Sequence, residues 1–335
     1  MTKRMKALKA AVAAAALAGM PLAYATGAAG APGAGSYPER PVRLVVPYAV
    51  GGATDVIARV AARYLGETLG QPVVVENRPG AAGIVAAAAV AKARPDGYTL
   101  ILQASPTQTV APFLNANIAF DPLKDYSPIS GVVETAFVLL IAKDHPAKNV
   151  RELIQYAKAK PKEVNFGSSG IGSSSHLAAE MLKKMAGVDM THVPYKGNAA
   201  AITDILGGQL TLLFSGVGDA VPFVKSGRIR ALGISTDVRS AAMPDVPTVA
   251  ESGVPGFNVN NWFGLEGPPA LPAAVTATLN ASVRKALADP AIARVLVEQQ
   301  YYRLIPSTPE EMAARVQSEY AAWSGVIKAL DIKPQ

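Results

Sequence analysis

The chain has 335 residues, half of them hydrophobic and only 17% charged; this suffices for one large or two medium domains and excludes a long disordered chain. There is no cysteine and there are three histidines, His145, His176 and His192, so disulfides, thiol chemistry and cysteine-based zinc or iron–sulfur sites are excluded. The formal net charge is +7, but Lys3, Arg4, Lys6 and Lys9 supply four of those charges, leaving +3 and no basic run that would mark a nucleic-acid footprint.

Those four basic residues open a three-part pattern. An alanine-rich apolar stretch runs from Ala10 to Leu22, and Ala23-Tyr24-Ala25 is a small-x-small cleavage site before Thr26. This is the pattern of a secretory signal peptide, so export to the periplasm with cleavage near Ala25 is expected. The apolar run is short for a membrane anchor and Pro21 interrupts it. The small residues over 26–36 predict a flexible linker.

In chain order, the β-branched and apolar run Val42 to Tyr48 predicts a buried strand. Gly51 and Gly52 let the backbone turn, and Thr54 and Asp55 suit the cap of a helix over 56–69. A strand over 72–76, a helix over 81–93 and a strand over 98–103 follow, then the polar loop Ala104-Ser105-Pro106-Thr107-Gln108. This β-α-β-α-β order is that of a doubly wound parallel sheet. The long apolar run 132–142 reads as a crossing into a second lobe. That lobe alternates helices over 149–160, 173–186, 198–206 and 219–226 with strands over 164–166, 190–194, 209–215 and 228–235. Asn258 to Leu265 reads as the strand that returns, and helices over 272–288 and 308–330 complete the first lobe. The expected fold is α/β, with lobe 1 over 37–130 and 253–335 and lobe 2 over 131–252.

Both lobes carry a strand that feeds a Gly-rich turn into a capped helix. Such a turn points backbone N–H groups and the positive end of a helix dipole at one spot, which suits an anion. In the first turn the candidates are Tyr48, Ala49, Gly51, Gly52, Thr54 and Asp55, with Ser105 in the loop after the third strand. In the second they are Gly167, Ser168, Ser169, Gly170, Gly172 and Ser173, a run that favours a nest of N–H donors. His176 falls in the first turn of the following helix, where it binds ligand or braces the loop, bracing being the preferred reading. Tyr195, before Lys196-Gly197, and Asp219, past the strand ending near Phe214, stand at further strand ends. Trp262 either walls the cleft or packs at the crossing.

Neither a GxSxG elbow nor a Walker A loop is present, and a Ser–His–Asp set drawn from so many serines carries little weight. A binding protein with no catalysis, cofactor or metal is therefore expected, with a secreted serine hydrolase as the alternative.

Several longer stretches carry a resemblance. They are YPERPVRLVVPYAVGGATDVIARVAARYL, VVVENRPGAAGIVAAAAVAKARPDGYTL, VNFGSSGIGSSSHLAAEML, HVPYKGNAAAITDILGGQL, GRIRALGIST, DVPTVAESGVPGF and NWFGL. Over nearly the whole chain from Tyr37 it resembles the Bug family of periplasmic solute-binding proteins, the receptors of tripartite tricarboxylate transporters. The resemblance implies a type II, Venus-flytrap periplasmic-binding-protein fold with two crossover strands. It implies a small carboxylate ligand, whether a di- or tricarboxylate, an amino acid or an aromatic acid. The carboxylate would be held between Tyr48–Thr54 and Gly167–Ser173, partly through water. The expected partners are membrane transporter subunits, or a membrane sensor instead, with the receptor a monomer. The family's usual Pro-Gly-Gly turn is Ala49-Val50-Gly51-Gly52 here, and Ser215 stands where an Asp is common.

Overall fold

The computed structural model describes residues 37–161, 163–170, 173–195 and 197–329. The expected signal peptide and linker, 1–36, lie outside the described residues. In chain order come β1 (Val42–Val46), α1 (Ala53–Leu69), β2 (Val73–Asn77), α2 (Ile84–Ala91), β3 (Thr99–Ala104), the one-turn α3 (Ala111–Leu114) and β4 (Ser127–Ala142). The middle of the chain forms α4 (Val150–Ala159), β5 (Asn165–Ser168), α5 (Ser174–Ala186), β6 (Thr191–Pro194), α6 (Asn198–Leu206), β7 (Leu212–Gly216), α7 (Val217–Lys225) and β8 (Ile229–Ile234). The return forms β9 (Asn260–Gly267), α8 (Ala273–Leu287), α9 (Pro290–Ala293), β10 (Arg303–Leu304) and α10 (Pro309–Ala329).

One strand organises both halves. β4 is 16 residues long, and its first part pairs antiparallel with β9 and β10. Its second part lies between β7 and β8, antiparallel to both. The first sheet therefore runs β2-β1-β3-β9-β4-β10 and the second β6-β5-β7-β4-β8. β1 is parallel to β2 and β3, and β5 is parallel to β6 and β7. The second crossing lies just before β9, where the Val259 N–H donates to the Ser235 carbonyl at 2.8 Å. This is the two-lobed α/β periplasmic-binding-protein fold with two crossover strands.

Alternation along each strand divides the cores, because successive side chains point to opposite faces. In β1, Val42, Leu44 and Val46 pack with α1 and α8, while Val45 packs with α2. In β4, Leu139 and Ile141 face α4 and α5, while Val138 and Leu140 face α6 and α7. Helix α1 buries the stripe Ile57, Ala58, Ala61, Ala62 and Leu65, and Gly70 at φ 69° closes it with a left-handed cap. Each fully buried Leu or Ile in these stripes contributes about 1.5–3 kcal/mol. Helix α10 starts against Trp262 through Met312 and Val316. Its Trp323, Val326 and Ile327 then join the core built on α4 and α5. Trp262 is fully buried, so it packs at the crossing and is not a wall of the cleft.

Two features depart from the sequence expectation. Pro106–Val110 forms a π turn continued by α3, where a polar loop is expected. Its Thr and Gln side chains find distant partners, described below, and these fix the helical path. The second departure is at the C-terminal side, where α9 and the short β10 occupy a stretch with no assigned element.

Candidate ligand-binding cleft

The turn after β1 is braced from within. The Asp55 carboxylate is buried and accepts the Gly51 N–H at 2.9 Å, Arg59 Nε at 3.0 Å and Asn77 Nδ2 at 3.0 Å. Asn77 Nδ2 also donates to the Tyr48 carbonyl at 3.0 Å. The Arg59 guanidinium, helped by the Gly51 and Asn77 hydrogen bonds, outweighs burial and holds the Asp55 carboxyl down at about 2. Gly51 at φ 84° supplies the left-handed step that brings its N–H to Asp55. The Tyr48 hydroxyl meets Thr107 Oγ1 at 2.8 Å, and Thr107 Oγ1 donates to the Ala82 carbonyl at 2.9 Å.

The turn after β5 is braced by hydroxyls. Ser173 caps α5, accepting the His176 N–H at 3.3 Å and donating to the Gly170 carbonyl at 2.7 Å. Ser175 Oγ accepts the Ser169 N–H at 3.0 Å and lies 3.2 Å from Ser169 Oγ and 3.0 Å from Ser173 Oγ. Ser174 and Ser175 fall in the first turn of α5, where an α-helix leaves its amides without intrahelical partners. Beneath the turn, His176 stacks on His192 with centroids 4.0 Å apart, and His192 stacks on Phe166 at 4.9 Å. Burial, then His192 and Lys183, push the His176 imidazolium down to about 4, so the ring is neutral near pH 7. Burial and Lys183 lower His192 as well, and its Nε2 lies 2.7 Å from Ser168 Oγ.

Between the two halves lies a cavity of about 460 Å³. From the first half, Ala82, Pro106, Val110, Ala111 and Leu114 line it, together with Tyr48 and Asn115. From the second half come Phe137, Ser169, Gly170, Asn198 and the serines 173–175. Asn261, on β9, completes the wall, with its Oδ1 accepting the Ser105 hydroxyl at 3.1 Å. Asn198 Nδ2 donates to Ser215 Oγ at 3.3 Å and Asp219 Oδ2 at 3.2 Å. The π turn is fixed on three sides. Thr107 reaches Ala82, Gln108 Nε2 donates to the Pro122 carbonyl at 3.0 Å, and Thr109 Oγ1 reaches Glu319 Oε1 at 3.0 Å. Glu319 also accepts the indole N–H of Trp262, next to Asn261. A separate cavity of about 290 Å³ holds Glu134, Arg303, Arg315 and Glu319. Its charges are matched internally, with Arg315 2.8 Å from Glu134.

Of the residues expected from the sequence, Tyr48, Ser169, Gly170 and Ser173 line this cavity. Ala49, Gly51 and Gly52 are exposed on the turn after β1, while Thr54 and Asp55 are buried beneath it. Ser105 is buried behind Asn261, and Ser168 is buried against His192. Gly167 sits where a Cβ would come within 2.6 Å of Leu210, which is a packing requirement. His176 braces the turn from below. The Tyr195 hydroxyl donates to Asp204 at 2.7 Å, and burial with that carboxylate pushes it up to about 12. Asp219 is exposed and holds Asn198. Gly172 lies outside the described residues. The lining residues that the sequence reading missed include Ala82, Leu114, Phe137, Asn198 and Asn261. Asn198 alone carried a local signal, as a helix start after a glycine. Among the described residues, no three His, Asp or Glu side chains are grouped to hold a metal ion.

A cleft between two α/β halves, walled by helix starts and strand ends and joined by two crossing strands, is the architecture of the periplasmic-binding-protein fold. The family model described as "Tripartite tricarboxylate transporter family receptor" matches residues 57–332, and the chain belongs to that family. It is 36% identical to Protein BugT of Bordetella pertussis over 301 residues, 90% of this chain and 92% of that one. Among solved structures it is similar to R. palustris Rpa4515 with adipate, at a TM-score of 0.73 and 34% identity over 90% of this chain and all of that one. It is also similar to MatC of Rhodopseudomonas palustris with bound malate, at a TM-score of 0.68 and 36% identity over 87% of this chain and all of that one. The protein is therefore a binding receptor of the Bug type and not an enzyme.

Proposed function

We propose that this receptor is exported through its N-terminal signal peptide, captures a small carboxylate in the cleft and delivers it, as a monomer, to the membrane subunits of a tripartite transporter. The observation that carries the reading is the serine turn at the start of α5, with Ser169, Gly170 and the serines 173–175 on the cavity wall. Hydroxyls and first-turn amides give a carboxylate hydrogen bonds and the favourable end of a helix dipole without a buried cation. The carboxylate-bound relatives support the same ligand chemistry. On closure, the exposed turn Ala49–Gly52 meets the ligand from the other side, with water bridging where direct contact is lacking. The hinge lies where β4 and the segment before β9 cross, with one lobe over 37–130 and 253–335 and the other over 131–252. Closure follows from the ligand's higher affinity for the closed state, and it creates the surface that membrane subunits read. Calorimetric titration of the purified protein with a panel of mono-, di- and tricarboxylates and amino acids tests this. Saturable binding of a carboxylate is expected, and heatless titrations across the panel with folded, ligand-free protein would contradict it.

A further inference from the structure

We propose that Glu319, outside the cleft, is a positioning residue for ligand capture, fixing the π turn and Asn261 on the cleft wall through Thr109 and Trp262; this rests on the reading that the cleft binds a carboxylate. Glu319 lies on α10, half-buried at the wall of the separate cavity of about 290 Å³, and does not line the cleft. Its Oε1 lies 3.0 Å from Thr109 Oγ1 and accepts the Trp323 indole N–H at 3.2 Å. Its Oε2 accepts the Trp262 indole N–H. The chain has two tryptophans, and both indoles end on this one carboxylate.

Two routes lead from that carboxylate to the cleft. Successive side chains on β9 alternate, so Trp262 points to α10 while Asn261 points into the cleft. On the π turn, Thr109 Oγ1 is also 2.8 Å from the Ser105 carbonyl, and the Ser105 hydroxyl donates to Asn261 Oδ1 at 3.1 Å. Thr109 stands next to Val110, which lines the cleft. Both routes therefore converge on Asn261. The third partner leads away, because Trp323 packs in the core built on α4 and α5. Burial outweighs the three hydrogen bonds and Arg315 and raises the Glu319 carboxyl above its ordinary value. An apolar side chain at 319 would avoid that desolvation but would release Thr109 and Trp262. A wall tied from behind in this way keeps its geometry for the ligand.

The test is calorimetry of the purified receptor with adipate, malate, citrate, benzoate and glutamate, then of its variants with the tightest of the five. Thr109→Val removes the hydroxyl at nearly constant shape and should raise the dissociation constant at least about threefold. Thr109→Ser keeps the hydroxyl and should recover most of that loss. Glu319→Gln keeps the shape with a single acceptor oxygen and should raise the constant at least about fivefold. Trp323→Phe removes the partner that leads away from the cleft, so it should lower the melting temperature and leave the constant within about twofold. Wild-type affinity in Thr109→Val and Glu319→Gln would overturn the inference and leave the carboxylate-receptor reading intact. So would a loss in Thr109→Val that Thr109→Ser does not recover, or a loss in Trp323→Phe as large as that in Glu319→Gln. Binding of none of the five by the wild-type protein would overturn both.

Discussion

The two Gly-rich turns are alike in sequence pattern and differ in where their hydrogen bonds go. The turn after β1 ties down its two glycine amides. Asp55 takes the Gly51 N–H, and the Gly52 N–H returns to the Ala49 carbonyl at 3.4 Å. The turn after β5 interlocks its hydroxyls, and the serines that do so also face the cavity. One turn is braced by a buried carboxylate and lies exposed at the rim, and the other presents its serines to the cavity wall.

The largest expected effect separates bracing from binding. Asp55→Ala leaves the Gly51 N–H, Asn77 and Arg59 without their shared acceptor, and should lower unfolding stability by about 3 kcal/mol in denaturant titration. An equal stability in the variant would mean that the rim is not held by Asp55.

The next contrast is in pH. His176 in the second half is held neutral down to about 4, against 6.5 when unfolded. The unfolded chain therefore takes up the proton first, and stability present above pH 6.5 is lost as pH falls toward 4, by an upper limit on the order of 3 kcal/mol. His192, Lys183 and Glu180 face the same ring, so His176→Gln should flatten the acid limb rather than abolish it. Glu266, on β9 of the first half, behaves oppositely. Burial pushes its carboxyl up to about 8, beside Gln108 and Tyr126. Its contribution is fully present below 4.5 and is lost as pH rises through about 8. Glu266→Gln should remove that alkaline limb in thermal melts across pH 5 to 9, and an unchanged limb would contradict the assignment.

The smallest effect concerns the link between the walls. Thr107→Val and Tyr48→Phe each break the Tyr48–Thr107 contact and should each weaken ligand binding a few-fold, about 1 kcal/mol. Because the contact is shared, the double variant should be no weaker than the worse single one. Additive losses in calorimetry would show that the two act separately.

The contrast between the turns also explains what the sequence could tell. Strand, turn and helix were legible at 42–69 and 165–186 because apolar runs, glycines and capping serines are local signals. The part played by Asp55 was not, since cap, brace and ligand contact share one residue type and only Asn77 and Arg59 decide among them. Phe137, Asn198 and Asn261 were hidden for a different reason. They come from three distant segments that only the pairing of β4 with β7 and β9 brings to one cavity. The π turn read as a loop because Thr107, Gln108 and Thr109 look like surface residues until Ala82, Pro122 and Glu319 arrive from elsewhere.

The most direct test takes the matched glycines of the two turns. Gly51 and Gly170 both have positive φ, 84° and 133°, and at neither would a Cβ come within 3.5 Å of another residue's atoms. Valine at either position therefore strains only the turn itself. With the tightest carboxylate from the panel, calorimetry of Gly170→Val should show a dissociation constant raised at least about tenfold, or about 1.4 kcal/mol. Gly51→Val, on the turn that meets the ligand through bridging water, should lower the melting temperature and raise the dissociation constant by a smaller factor, about threefold, on the order of 0.6 kcal/mol. A large affinity loss in Gly51→Val with none in Gly170→Val would reverse the roles of the two turns and contradict the account.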